Sequence, residues 1–145
     1  MIKGVDYIGL AVVYFCHDGK GNFLMHKRGA GTRDEQGKWD VGAGGIEFGH
    51  TAEQTLRKEI MEEYGTNVIS FEFMGFRDDI HRNTSEDKPM HWLTLDYKVL
   101  VDPASVKNGE PHKFDKFGWF TKDNLPPQVH SQLPLFMEKY KHLLF

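Results

Sequence analysis

The chain has one cysteine, Cys16, among 145 residues. A disulfide within the chain is therefore impossible, and a cysteine-built zinc site is excluded. Cys16 reads as a small buried hydrophobe at the end of a strand. Positive charge is also in short supply: 18 Lys and Arg stand against 21 Asp and Glu, a net charge of −3. This argues against binding a nucleic-acid polymer through bulk positive charge. No segment approaches the ~20 consecutive apolar residues of a membrane span. The start, "MIKGVDYIGL", lacks a basic region followed by a long apolar run, so no signal peptide is expected. These absences fit a cytoplasmic protein, off the membrane, whose anionic ligand is held by local groups or by a metal.

The length suits one domain, residues 1–145. A chain of this size buries about two-thirds of the surface its unfolded form exposes, enough for a real core. "YIGLAVVYF" (Tyr7–Phe15) is β-branched and aromatic and predicts a buried strand. The turn cluster "HDGKGN" and the returning "FLMHKR" (Phe23–Arg28) complete a hairpin pattern. A polar loop, "GAGTRDEQGK", leads to a short "WDV" strand and a glycine turn. Thr51 to Tyr64 predicts a helix: Thr51 and Gln54 form a capping box, Ala52, Leu56 and Ile60 share one face, and Gly65 ends it. Further strands are expected at Asn67–Phe76, His91–Val101 and Lys116–Phe120. "RDDIHRNTSEDKP" reads as a long loop and Ser131–Leu144 as a closing helix with Pro134 in its first turn. The order implies an α/β fold, a mixed sheet with a helix on each face.

The helix carries an unusual load. "GGIEFGHTAEQTLRKEIMEEYGT" (Gly44–Thr66) packs Glu59, Glu62 and Glu63 into five residues. Positions three and four apart share a helix face, so these carboxylates crowd one side close to the preceding glycines. Such hard oxygen donors suit Mg²⁺ or Mn²⁺. A plain solvated acidic face, balanced by Arg57 and Lys58, is the alternative for these glutamates taken alone. The eight histidines do not build a zinc site by spacing; His81 and His91 lie ten residues apart across the expected loop. "GAGGIE" matches neither a dinucleotide fingerprint nor a P-loop.

The ordered spacing resembles the signature box of the Nudix hydrolase family: Gly44 first, then Glu59, Ile60, Glu62, Glu63 and Gly65 at the required offsets. "GKWDVGAGG", "EFGHT" and "GWFTKDNLPP" are similar to flanking segments of that family. The resemblance implies a Nudix-type α/β/α sandwich and metal-dependent hydrolysis of a nucleoside diphosphate linked to another moiety. Among relatives it is closest in pattern to small MutT-like nucleoside triphosphate pyrophosphatases, which release a monophosphate and pyrophosphate. It implies metal ligation by Glu59, Glu62, Glu63 and the main-chain carbonyl of Ala43. It also implies a proton-accepting role for Glu59 or Glu62, and help from Lys58 in positioning Glu59. Gly44 and Gly45, with Gly42, would let the backbone approach the ligand, and Glu47 would brace the loop. Arg28, Trp39, His91 and "PPQVH" (Pro126–His130) are candidates for the base end. Three positions depart from the pattern: His50 replaces a Glu, Lys58 an Arg, and His112 an acidic residue with Glu110 and Asp115 nearby. Two other functions stay open. One is a pyrophosphatase acting on a nucleotide sugar, ADP-ribose or another diphosphate. The other, motivated by these departures, is a nucleotide-binding module without turnover. A homodimer is the family-level expectation.

Overall fold

A computed structural model describes residues 1–32, 34–83 and 87–145. Its strands are β1 (Gly9–His17), β2 (Phe23–Arg28), β3 (Trp39–Asp40), β4 (Gly42–Gly45), β5 (Val68–Asn83), β6 (Lys88–Val101) and β7 (Phe114–Phe120). Its helices are α1 (Ala52–Tyr64), α2 (Leu133–Lys139) and α3 (Lys141–Leu144). The central order is β3-β2-β1-β6-β5, with β4 also on β1 and β7 also on β2. β1 runs parallel to β6, from Gly9 opposite Trp92 to His17 opposite Leu100, whereas β4 and β5 pair antiparallel with β1 and β6. The sheet is therefore mixed.

Alternation along β1 builds two cores, because successive strand residues point to opposite faces. Val12 and Tyr14 join Leu56, Ile60 and Tyr64 of α1. Val13 and Phe15 join Leu133, Phe136, Tyr140 and Leu144 of α2 and α3. Cys16 is buried in the first cluster. Helix α1 starts as expected. Thr51 Oγ1 accepts from the Gln54 amide at 3.1 Å, and Gln54 Oε1 accepts from the Thr51 amide at 2.9 Å. Gly65 ends the helix in the left-handed region, at φ 64°.

Four local expectations need correction. The β1–β2 hairpin stays paired only at His17–Phe23, because β1 spends its length on β4 and β6. The glycines after Trp39 form a strand rather than a turn, matched to Ala11–Tyr14. The expected loop "RDDIHRNTSEDKP" is strand up to Asn83 and again from Lys88; positions 84–86 lie outside the described residues, as does position 33 of the earlier polar loop. The closing helix breaks at Tyr140 (φ −109°, ψ 14°), whose hydroxyl donates to Asp96 Oδ2 at 2.6 Å. In the β5 case the polar residues are stabilised by tertiary partners that local sequence does not reveal.

Candidate active site

Helix α1 and strand β4 meet through missing side chains. A Cβ on Gly44 would sit 2.5 Å from Glu59 Cδ, and one on Gly42 would enter the Tyr14 ring. Glycine here permits a close approach that any larger residue would block. Glu59 is therefore held, half-buried, against β4. Burial first, and then the nearby Glu62, raise its pKa above the ordinary carboxylate value.

Glu63 is 3% exposed and accepts a hydrogen bond on Oε1 from the Tyr14 hydroxyl. Burial pushes its pKa up to about 8, against the opposing pull of the Tyr14 bond and of Lys113. Glu62 is half-exposed and pairs with Lys58 at 3.5 Å. This is the i,i+4 geometry of a helix surface, and it directs Lys58 to Glu62; no ion pair joins Lys58 to Glu59 among the described residues. Glu62 and then Glu47 raise the Lys58 pKa.

A fourth carboxylate arrives from outside the helix. The Gly109 amide donates to Glu63 O at 3.0 Å, docking the 107–110 segment on the end of α1. Glu110 follows, close enough to add to the raised pKa of both Glu59 and Glu63, and is paired with Lys113 at 3.1 Å. His112 and Asp115 are exposed, with Asp115 beside Gly29. Thr66, directly after Gly65, is buried and shares a 2.6 Å hydroxyl contact with Ser105.

These groups adjoin a cavity of about 670 Å³. Ala43, Gly44, Gly45 and Glu63 line it, and so does Arg28. Glu47 and His50 are exposed on the turn before α1. Trp39 packs edge-on against Phe120, and His91 pairs with Asp78 at 2.9 Å; neither lines the cavity. One wall crosses four strands: Gly45 faces Ala11, Ala11 faces Thr94, and Thr94 faces Arg77. Asp79 stands next along β5, opposite Trp92. Three strand spacings separate β4 from β5, about 14 Å.

The β5 side of the cavity holds a second polar network. Asp79 Oδ1 lies 2.6 Å from His81 Nδ1, and His81 Nε2 lies 3.0 Å from Asp34 Oδ2. Arg28 donates to Asp34 Oδ1 at 3.1 Å. His130 Nε2 lies 2.7 Å from Glu35 Oε2, while His130 Nδ1 accepts from the Gln132 amide at 3.1 Å. Asp34 first, then Asp79, raise the His81 pKa to about 10. Ligand-type atoms of Asp34, His81 and His130 come within 4.8 Å of one another. Yet both His81 nitrogens face carboxylates and His130 Nε2 faces Glu35, so those nitrogens carry protons instead of free lone pairs. The cluster is an ion-pair network. The segment "PPQVH" contributes His130, as a candidate for this end. Asp79 belongs to the "RDD" stretch that reads from sequence as a solvated loop able to reach phosphates or metals, His81 is set aside there as a zinc ligand, and Asp34 and Glu35 carry no signal in the sequence. The signal for a strand was the period-two spacing of Arg77, Asp79 and His81.

Comparison with known proteins gives the family and supports the fold. The family profile described as NUDIX domain matches residues 8–140. A nucleoside triphosphatase NudI from Enterobacter sp. (strain 638) is 30% identical over 110 residues, covering 72% of this chain and 77% of the relative. A NudI from Escherichia coli O139:H28 is 28% identical over 124 residues, covering 82% and 84%. The crystal structure of a MutT NUDIX hydrolase from Burkholderia pseudomallei superposes with a TM-score of 0.76 at 22% identity, covering 90% of this chain and 95% of that one. A MutT protein from Methanosarcina mazei Go1 gives 0.77 at 18% identity, covering 93% and 94%.

Proposed function

The chain belongs to the NUDIX domain family of pyrophosphohydrolases, and on that premise we propose that it cleaves a nucleoside triphosphate to the monophosphate and pyrophosphate with the help of Mg²⁺ or Mn²⁺. The relatives named nucleoside triphosphatase favour this substrate class over a dinucleotide-like one. The observation that carries the reading is the gathering of Glu59, Glu62, Glu63 and Glu110 where β4 meets the cavity.

The donor set fits a hard divalent cation. It is all oxygen and drawn from two segments, and the neighbouring carboxylates raise the pKa of Glu59 and of Glu63. Glu59, Glu62 and Glu63 would hold the cation, with the Ala43 carbonyl adding a main-chain oxygen. Bound there, a divalent cation neutralises pyrophosphate charge and makes water a better nucleophile. Every other task falls to the chain. Gly44 and Gly45 admit the phosphates against the backbone. Lys113, which lines the cavity, and Lys58 balance the local negative charge. Glu59, half-buried and with a raised pKa, accepts the proton of the attacking water as its oxygen bonds to phosphorus and the anhydride bond breaks. General-base help of this kind contributes ~10²–10⁴-fold. Glu47 places its charge near Lys58 at the entry turn, Arg28 orders the base end through Asp34, and Trp39 packs β3 against Phe120 of β7.

The test is a panel of nucleoside triphosphates, nucleotide sugars and ADP-ribose with Mg²⁺ or Mn²⁺, with the products identified. Pyrophosphate and a monophosphate are expected, with loss of rate by about 10²-fold or more in Glu59→Gln and Glu62→Gln. Two monophosphate-type products from a dinucleotide-like substrate would redirect the reading. Nucleotide binding without turnover would replace it with a non-catalytic module.

A further inference from the structure

The geometry points to Asp79 as the residue that selects the nucleobase, and we propose that it reads a base presenting an amino group beside a ring N–H, the edge guanine carries. This rests on the nucleoside triphosphate reading and adds the class of base to it. Three observations support it. First, Asp79 lines the cavity about three strand spacings from the β4 glycines, so phosphates at β4 leave the far end of the ligand near β5. Second, Asp79 is held in place. Its Oδ1 is fixed by His81 at 2.6 Å, His81 is fixed by Asp34 at 3.0 Å, and Asp34 by Arg28 at 3.1 Å. Its Oδ2 has no hydrogen-bond partner among the described residues. Third, the flat apolar surroundings suit a base. Trp92 sits opposite Asp79 in the sheet, its ring pressed against Gly4 and Gly9, where any Cβ would collide with it. Met90 and Leu133 complete the apolar lining.

A carboxylate can only accept hydrogen bonds. Guanine offers two adjacent donors to it, the ring N–H and the exocyclic amine. Uracil and thymine flank their single N–H with carbonyl oxygens, which a carboxylate repels. Hypoxanthine keeps the ring N–H but lacks the amine, so it isolates that one group. Among the described residues, Arg77 and Thr94 on this wall are already committed to Asp96. Asp96 takes both guanidinium bonds of Arg77 and the hydroxyls of Thr94 and Tyr140. On this wall, among the described residues, that leaves Asp79 Oδ2 as an open acceptor.

The deciding experiment compares GTP, ITP and UTP as substrates of the Mg²⁺-loaded protein and of Asp79→Asn. The parent is expected to favour GTP over ITP by about 10-fold or more in kcat/KM, the range of one charge-assisted hydrogen bond. That preference should lie mainly in KM. In Asp79→Asn it should collapse to within about 2-fold while ITP turnover persists. A second readout is equilibrium binding of GMP against IMP by calorimetry, which needs no turnover. If no triphosphate is hydrolysed, the functional reading fails and this binding comparison still decides the inference. Equal treatment of GTP and ITP by the parent overturns it. So does an Asp79→Asn that loses all substrates in parallel, since that would mark a purely structural role.

Discussion

Two neighbouring glycines should respond in opposite ways to one methyl group. At Gly44 the added Cβ of Gly44→Ala would lie 2.5 Å from Glu59 Cδ, so either Glu59 or β4 must move. β4 is tied to β1 along Ala11–Tyr14, so the side chain is the part that yields. Overpacking of this type costs about 1–3 kcal/mol of stability. The displaced Glu59 also loses its position, and a misplacement of about 1 Å can cost ~10²-fold in rate. At Gly45 the nearest atoms to an added Cβ are 3.8 Å away, ordinary contact. Gly45→Ala should therefore be neutral for stability, or stabilising by up to about 1 kcal/mol through a less flexible unfolded chain, and any loss of rate it shows reports the approach of the phosphates to the backbone, not a displaced Glu59. Urea unfolding of both variants gives the stabilities, and pyrophosphate release gives the rates. If the two alanines lower stability and rate equally, the close packing of Gly44 on Glu59 is not what shapes this site.

Other consequences follow from the buried network. Tyr14→Phe removes the hydroxyl that donates to Glu63 in the core, and at pH ~9.5, well above the Glu63 value of about 8, it should cost about 1–3 kcal/mol in urea unfolding of the metal-free protein. Tyr14→Phe as stable as the parent at that pH would show that the bond contributes nothing. His81 gives a pH signature. Its folded pKa, near 10, lies above the ordinary value of about 6.5. Between those values the folded state binds more protons than the unfolded state, so the stabilisation is full below about 6.5 and is lost as pH rises through 10. His81→Gln should therefore flatten the fall in stability across that window, and an unchanged slope in unfolding curves would assign the proton elsewhere.

The features legible in the sequence were those whose physics is local. The capping box at Thr51–Gln54, the apolar face of Leu56 and Ile60, and the terminating Gly65 all act within a few residues of themselves. The crowding of Glu59, Glu62 and Glu63 follows from helical spacing alone. The same reasoning misread β5, because Arg77, Asp79 and His81 resemble loop residues until Asp96 and Asp34 come alongside as partners.

The sequence thus determined the acidic helix, its ends, the run of apolar strands and the family to which the chain belongs. Helix periodicity and capping depend on neighbours in the chain and need no distant contact. Only the tertiary structure decided that Glu63 is buried under Tyr14, that Glu110 joins the carboxylates, and that the glycines pair as a strand against β1. It alone joined Asp79, His81, Asp34 and Arg28 into one network, since His81 and Asp34 lie 47 positions apart in the chain. Burial and charge pairing belong to what surrounds a group in space, and a linear order of residues does not specify those surroundings.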